Sequence, residues 1–503
     1  MRLIIVICAT ISSSHCANIL GVFVSAAYSH HASLYPMYEK LATKGHNVTL
    51  LTAFPKNLTI KNLHEIDISF VKETYYNSVK KYFFEPYSKM NVFEIAYGSI
   101  NIVYDTSKRI IEEKFVRDVF RNDYDVMIIE NKTPLTYFGG LVNKAPIIGV
   151  SSMSGWPTVH DALGNPIHPV LSPNFLLTIG DNPTFIERLS SVTYNIVCRF
   201  LIYYYDLPRS NKIARKYFGS NVASLDEVER NMSLGLFTKN FVTNGVTPVV
   251  PSAVEVSFMN IKPKQDLPED IQEFMDKSKK GIVFLSLGSF ITNFNLTEQK
   301  VILNSVLELP YDVLWKSDTS EQLPSNIMVK NWFPQQDLLG HPKLKVFVTQ
   351  GGLHSIEEAL YNAVPMVLLP VIADQGQNSK RVVSKGLGKM LDIMTVSKDI
   401  LVKTVIEVAE DNKYKEAALN ISKILKDEPM FGVDKAVWWV EYVIRHKGAR
   451  HLRSGFVDMP FYQYYLLDVL SFITVLIILC VVLVLQIIKF CKIKLKMFKL
   501  KQQ

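Results

Sequence analysis

The residues of this chain best suited to chemistry are a histidine pair near its beginning, a carboxylate closing an apolar run, and a glycine pair well downstream. An imidazole titrates near neutral pH, so His30 or His31 could take the proton of a hydroxyl as its oxygen attacks an electrophile. Such a base needs an acid to fix its tautomer and stabilise the imidazolium. Glu130, at the end of Tyr124-Asp125-Val126-Met127-Ile128-Ile129, is the candidate, and Asp125 competes from the start of the same run. Gly351-Gly352, lacking Cβ atoms, lets backbone amides approach an anion. A helix opening at His354 or Ser355 would aim free N–H groups and its positive dipole end at a phosphate. Glu358, three residues after Ser355, shares its face and could accept from ribose hydroxyls, while Trp332 offers a flat ring for a base. Gly288-Ser289 could add an amide and a hydroxyl.

These residues need strands to carry them. The pattern around each is strand, loop, helix, strand, the unit of a parallel α/β sheet, which binds ligands at the carboxyl ends of its strands. Strands are expected at 18–24, 48–53, 124–130, 281–287, 328–330 and 345–349. Helices are expected at about 34–44, closed by Gly45 with His46 as a turn residue, and at 380–388, 397–425 and 436–446. Segments 60–120 and 170–240 read as irregular and aromatic-rich. Tyr75-Tyr76, Tyr82-Phe83-Phe84 and Tyr203-Tyr204-Tyr205 there suit an apolar acceptor cleft, a bilayer surface, or plain core packing. No Gly-x-Gly-x-x-Gly follows the strand at 281–287, which argues against a dehydrogenase.

A chain of 503 residues suits two domains with appendages. The net charge of +8 misleads, because Lys489, Lys492, Lys494, Lys496, Lys499 and Lys501 at the end and Arg2 at the start supply nearly all of it. The body is close to neutral, which leaves no case for nucleic acid. Residues 1–17 read as a secretory signal peptide cleaved near Cys16 or Ala17. Of the five cysteines only Cys198 lies in the body, so no disulfide framework arises, and no Cys or His pair has zinc-like spacing. The proline-rich stretch 251–268 reads as a linker between domains at 18–250 and 269–430. Residues 469–488 carry no charge and can span a bilayer, and the lysines at 489–503 place the tail on the cytoplasmic side. Sequons at Asn47, Asn57, Asn131, Asn231, Asn295 and Asn420 fit a lumenal body.

The ordered set Trp332, Gln335, Gln350-Gly351-Gly352, His354-Ser355, Glu358 and Asp374-Gln375 resembles the donor-binding signature of the UDP-glycosyltransferases, in particular an insect-like, membrane-anchored branch. The likeness runs from the first strand to the lysine tail. It implies the glycosyltransferase B arrangement, two Rossmann-like domains facing across a cleft, plus a transmembrane helix. By it Trp332 stacks on uracil, Gln335 and Glu358 hold the ribose, Ser289, Gln350, Gly351, Gly352, His354 and Ser355 surround the diphosphate, and Asp374 and Gln375 hold the sugar. Ser-His before Pro36 matches the family's first loop, with His30 as base and Glu130 as its acid. Two positions depart from the common pattern. Gln350 replaces a histidine and can donate to a phosphate but cannot become a cation. Glu130 stands where many relatives carry Asp. The resemblance further implies a segment at 431–468 that braces the first domain, and inverting transfer of a hexose, glucose favoured and glucuronic acid the alternative, from UDP-sugar to a small lipophilic hydroxyl acceptor. The role would be detoxification or inactivation of xenobiotic or endogenous compounds. UDP-sugar is a co-substrate, and no metal is expected, since helix and backbone dipoles can stabilise the leaving diphosphate. The body would face the lumen of the endoplasmic reticulum as a single-pass type I protein, with terminal lysines resembling a retrieval signal; homo-oligomers stay open. Rival readings are a non-catalytic carrier of lipophilic ligands and a membrane lipid or sterol glycosyltransferase.

Overall fold

The computed structural model describes residues 16–83, 89–288, 296–430 and 432–501; the leader up to residue 15, Phe84, Ser289 and Asn295 lie outside them. The body, residues 16–453, is built on two sheets, and every strand pairing in both is parallel. The first contains β1 (Asn18–Val22), β2 (Asn47–Thr52), β3 (Leu63–Asp67), β4 (Val126–Glu130), β5 (Ile147–Ser151), β6 (Leu234–Thr238) and β7 (Ala253–Val256), in the order β3-β2-β1-β4-β5-β6-β7. The second contains β8 (Ile282–Ser286), β9 (Asp312–Lys316), β10 (Ile327–Lys330), β11 (Leu344–Thr349), β12 (Met366–Leu368) and β13 (Gly388–Met390), in the order β10-β9-β8-β11-β12-β13.

The composition of the central strands explains the architecture. Val126-Met127-Ile128-Ile129 in β4 and Ile282-Val283-Phe284-Leu285 in β8 are buried on both faces, as apolar runs in parallel sheets must be. Side chains alternate between two apolar layers: Leu20 and Val22 of β1 join one, Ile19 the other, and β8 divides the same way. In both sheets the order reverses at the centre, between β1 and β4 and between β8 and β11. The connections diverge there and leave a crevice at the carboxyl ends.

Several elements differ from the sequence reading. The first helix runs Tyr28–Thr43, six residues earlier than expected, with Pro36 inside it, so His30 lies in its first turn rather than on a loop. The stretch 251–268, read as linker, contains β7, so the first sheet extends to Val256. Segments 60–120 and 170–240 are largely helical, notably Val71–Tyr82, Val92–Glu112 and Phe185–Phe200. Asn91 with Glu94 and Thr184 with Glu187 form capping boxes that start two of these helices, signals the aromatic content obscures. The helix expected at 380–388 runs Gln375–Ser384, since Asp374 occupies its N-cap position and Gly388 opens β13. The long expected helix at 397–425 is two, Lys398–Glu410 and Asn412–Lys426, parted at Asp411.

The helix Gly432–Arg445 returns to the first sheet: Ala436, Val437, Val440 and Val443 share an apolar layer with Ile19, Leu34 and Tyr38. Lys44 pairs with Glu441 at 2.5 Å, and Lys40 pairs with Asp434. Residues 454–503 form a separate unit that ends in the helix Leu467–Lys501. Within it Leu467–Met497 is long and apolar enough to cross a membrane.

Candidate active site

The reversal between β1 and β4 brings the proposed base and acid together. Val22 lies opposite Ile129, so Glu130 comes alongside the residues leaving β1. Glu130 Oε2 accepts from the amides of Val24 at 3.0 Å and Ser25 at 2.8 Å, and Oε1 lies 3.2 Å from His30 Nδ1. Two further groups, unforeseen from the sequence, complete the setting. The Ser152 hydroxyl lies 2.8 Å from His30 Nδ1, and Lys132 Nζ lies 3.3 Å from Glu130 Oε1 and 3.5 Å from the same ring nitrogen. Burial alone would raise the Glu130 pKa, but Lys132, His30 and the Ser25 amide outweigh it and hold the carboxyl far below its ordinary range. Burial, reinforced by the Lys132 charge and opposed by Glu130, lowers His30 to about 4, so the imidazole is neutral at physiological pH. Among the described residues nothing hydrogen-bonds its Nε2, which leaves that nitrogen for a substrate hydroxyl.

The neighbouring candidates separate cleanly. His31 is buried, 2.8 Å from the Thr52 hydroxyl and packed against Phe23 and Tyr35, as a core residue is. Asp125 accepts from the Asn18 amide at 2.8 Å, at the opposite end of the sheet from His30. His46 accepts from the Ala17 amide at 3.2 Å and faces Glu441 at 3.4 Å, tying the turn to the bracing helix.

The second crevice lies between β8 and β11. Gly351 has φ +83°, and a Cβ there would stand 2.5 Å from Ser379 Oγ; Gly288, φ +84°, has Gln350 Nε2 2.0 Å from where its Cβ would be. Both turns therefore pack too closely for a side chain. Gln350 is buried between them, with its Oε1 unpaired. Gly352 is the N-cap of the helix Leu353–Tyr361. Gln335 Nε2 donates to Glu358 Oε2 at 2.7 Å and Ser355 Oγ at 3.1 Å, while Asn260 reaches Glu358 Oε1 at 3.2 Å. Burial raises the Glu358 pKa against these donors. His354 Nδ1 lies 3.4 Å from Glu357 Oε2, and the other oxygen of Glu357 accepts from the Phe258 amide at 3.0 Å. Asp374 Oδ2 accepts from Asn378 at 2.7 Å, with burial raising its pKa. Gln375 is buried and spends its side-chain carbonyl on the amides of Val371 and Ile372, at 2.8 and 3.0 Å, so it holds the loop. Ser289 lies outside the described residues.

The two crevices open on each other. The Trp332 ring, more than half exposed, meets the edge of Tyr28 at 5.9 Å, two residues before His30, and Lys316 lies 4.5 Å from its centroid. His354 lies close enough to His30, Glu358 and Asp374 to act on the pKa of each. On the same side Lys380 pairs with Glu187 at 2.8 Å and Ser384 donates to Asp181 at 2.8 Å, joining the helix Gln375–Ser384 to segment 181–187. Of the aromatic residues named from the sequence, Tyr75 is close enough for Glu130 to act on its hydroxyl, Tyr204 faces outward, and Tyr205 packs on Tyr97 with its hydroxyl donating to Asn101. Asn131 is 1% exposed, which leaves no room for a glycan; the side chains of Asn47, Asn57, Asn231 and Asn420 are exposed. Asn295 lies outside the described residues.

Two parallel sheets with facing switch-point crevices, one bearing a carboxylate-held histidine and the other a glycine turn under a helix start, define a glycosyltransferase of the B arrangement. The rice protein Os79, solved in complex with U2F and trichothecene, shares the fold with TM-score 0.56 at 15% identity, covering 85% of this chain and 100% of that one. The chain belongs to the UDP-glucoronosyl and UDP-glucosyl transferase family, whose model matches residues 17–502. A UDP-glycosyltransferase, UGT5, of Dactylopius coccus is 34% identical over 94% of this chain and 92% of its own length. UDP-glucuronosyltransferase 2B33 of Macaca mulatta is 28% identical over 95% of this chain and 94% of its own. The protein is thus an enzyme, a UDP-glycosyltransferase.

Proposed function

We propose that this enzyme moves glucose from UDP-glucose to a hydroxyl of a small lipophilic acceptor, with inversion at the anomeric carbon. The observation that carries the reading is the His30–Glu130 contact of 3.2 Å, opening onto the cleft that also holds the glycine turn. His30 Nε2 takes the acceptor proton as the acceptor oxygen forms its bond to the anomeric carbon. The bond from that carbon to the diphosphate breaks on the opposite face, and UDP leaves with the electron pair. Glu130 fixes the ring through Nδ1 and stabilises the imidazolium. Bound diphosphate would raise the low His30 pKa by opposing the charges of Lys132 and His354, so the base gains strength when donor is present.

Trp332 would stack on the uracil, Gln335 and Glu358 hold the ribose, Gln350, Gly351, Gly352, His354 and Ser355 hold the diphosphate, and Asp374 with Gln375 the sugar. The likeness to UDP-glucosyltransferase 2 of Dactylopius coccus, 31% identical over 92% of this chain, supports glucose over glucuronic acid. The span helix and exposed sequons support a body lumenal to the endoplasmic reticulum. The test is His30→Ala with a panel of UDP-sugars and a generic phenol. Turnover should fall on the order of 10²- to 10⁴-fold with UDP affinity retained. Unchanged turnover would remove the base; a preference for UDP-glucuronic acid would overturn the donor.

A further inference from the structure

We propose that the outward face of the helix Phe185–Phe200 lies in the interface of a phospholipid bilayer. Globular helices turn charges outward and apolar residues inward, and this one is apolar on both faces: Tyr194 and Cys198 join the core while a second apolar row faces out. Its inward residues include Ser191 and Asn195, both buried, and Ser191 donates to the Pro169 carbonyl at 2.5 Å. Its outward residues recur every three or four positions and are apolar: Ile186 is 66% exposed, Ile196 64% and Phe200 60%, with Phe185, Leu189 and Val192 completing the stripe. Arg188 is the one exposed charge on the helix. Contiguous exposed apolar rows mark interaction or membrane surfaces, whereas apolar residues scattered singly do not.

Two features point to lipid as the occupant. First, the stripe runs into Tyr204, 74% exposed, whose ring and hydroxyl suit the boundary between hydrocarbon and headgroups. The next helix, Leu207–Phe218, contains no acid and exposes Lys212, Arg215 and Lys216, a charge complementary to phosphate headgroups. Second, the chain carries its own membrane-spanning candidate, Leu467–Met497, which is long and apolar enough to cross a bilayer. The face has a route to the site as well, since Glu187 in the first turn of the helix pairs with Lys380 of the helix Gln375–Ser384. Acceptors dissolved in lipid would meet the enzyme beside its cleft; that consequence rests on the proposed acceptor class, whereas the surface itself does not.

The full chain, with Cys16, Cys480 and Cys491 replaced by serine, is reconstituted in phosphatidylcholine vesicles and spin-labelled at Leu189→Cys, Ile196→Cys or, as a water-facing control, Asn420→Cys. Oxygen accessibility relative to a water-soluble nickel chelate should be several-fold higher at 189 and 196 than at 420. Equal ratios at all three sites would overturn the proposal. So would protection at 189 and 196 that rises with protein-to-lipid ratio, because that result assigns the face to a second copy of the chain. Ile196→Glu, read by the acceptor KM, separates the surface from the chemistry. With the surface proposal correct, the KM for an acceptor that partitions into vesicles rises several-fold while that for a water-soluble phenol holds. If both are unchanged while the labels show lipid contact, the membrane face stands and the lipid route for acceptors falls.

Discussion

The rings of Tyr28 and Trp332 meet edge to face with centroids 5.9 Å apart, one from the helix that carries His30 and the other from the loop after β10. This contact joins the loop of the candidate donor side to the helix that carries the proposed base. Edge-to-face pairs contribute about 0.5–1.5 kcal/mol. Tyr28→Ala should therefore raise the KM for UDP-sugar by roughly two- to tenfold, and Tyr28→Phe should restore it. Steady-state kinetics at saturating acceptor reads both.

Glu130→Gln keeps the volume but removes the charge that stabilises an imidazolium at His30. Turnover should fall on the order of 10²-fold or more, with UDP affinity unchanged. Glu130→Asp, shorter by one methylene, cannot reach the Val24 and Ser25 amides and the imidazole together, and should fall between Gln and the native enzyme.

Lys132 lies within 3.5 Å of His30 Nδ1 and helps hold its pKa near 4. Because a nearby cation disfavours a charged imidazole, Lys132→Met should raise that pKa. The acid limb of the pH profile of kcat/KM would move toward neutral pH, with His354 and Glu130 left as the charges acting on the ring. A limb that stays in place would show that Lys132 only anchors Glu130.

Gly351 carries φ +83° with Ser379 Oγ close to the missing Cβ. Gly351→Ala should add about 1–3 kcal/mol of local strain and weaken UDP binding, measured calorimetrically, more than it weakens the fold, measured by thermal unfolding.

Glu229 is 3% exposed, and burial, with the charges of Asp161 and Asp226 adding to it, raises its pKa to about 8. A carboxyl protonated in the folded state and ionised in the unfolded state makes stability fall as pH rises. The loss begins near the ordinary carboxylate pKa and is complete above about 8. Glu229→Gln should flatten that decline and stabilise the detergent-solubilised chain at pH 7 by roughly 3 kcal/mol, seen as a higher midpoint of thermal unfolding.

Much of the donor side was legible in the chain because its signals are local. Gly351-Gly352 follows an apolar strand and precedes a helix, and Glu358 follows Ser355 by nearly one turn. From the residues alone the candidate base was legible only as a pair of histidines, and the family resemblance singled out His30. What separates His30 from His31 is rotation about one helix, which turns His31 into the core toward Thr52 and His30 toward Glu130. Lys132 and Ser152 escaped notice because neither carries a motif. Lys132 is two residues past the end of β4, and Ser152 reaches His30 only through the alignment of β4 with β5. The outward stripe of Phe185–Phe200 was hidden by aromatic content, although Thr184 and Glu187 marked the helix start.

The return of the helix Gly432–Arg445 onto the first sheet bears on how the molecule is made. A nascent chain emerges from its amino end, so Ile19, Leu34 and Tyr38 wait with one flank uncovered until Val437, Val440 and Val443 have left the ribosome. Roughly 400 residues of chain separate the two sides of that layer, so it seals late. During this interval that apolar flank stays open to water, and a stop codon placed just before Gly432 would release a product whose opening strands never find their cover.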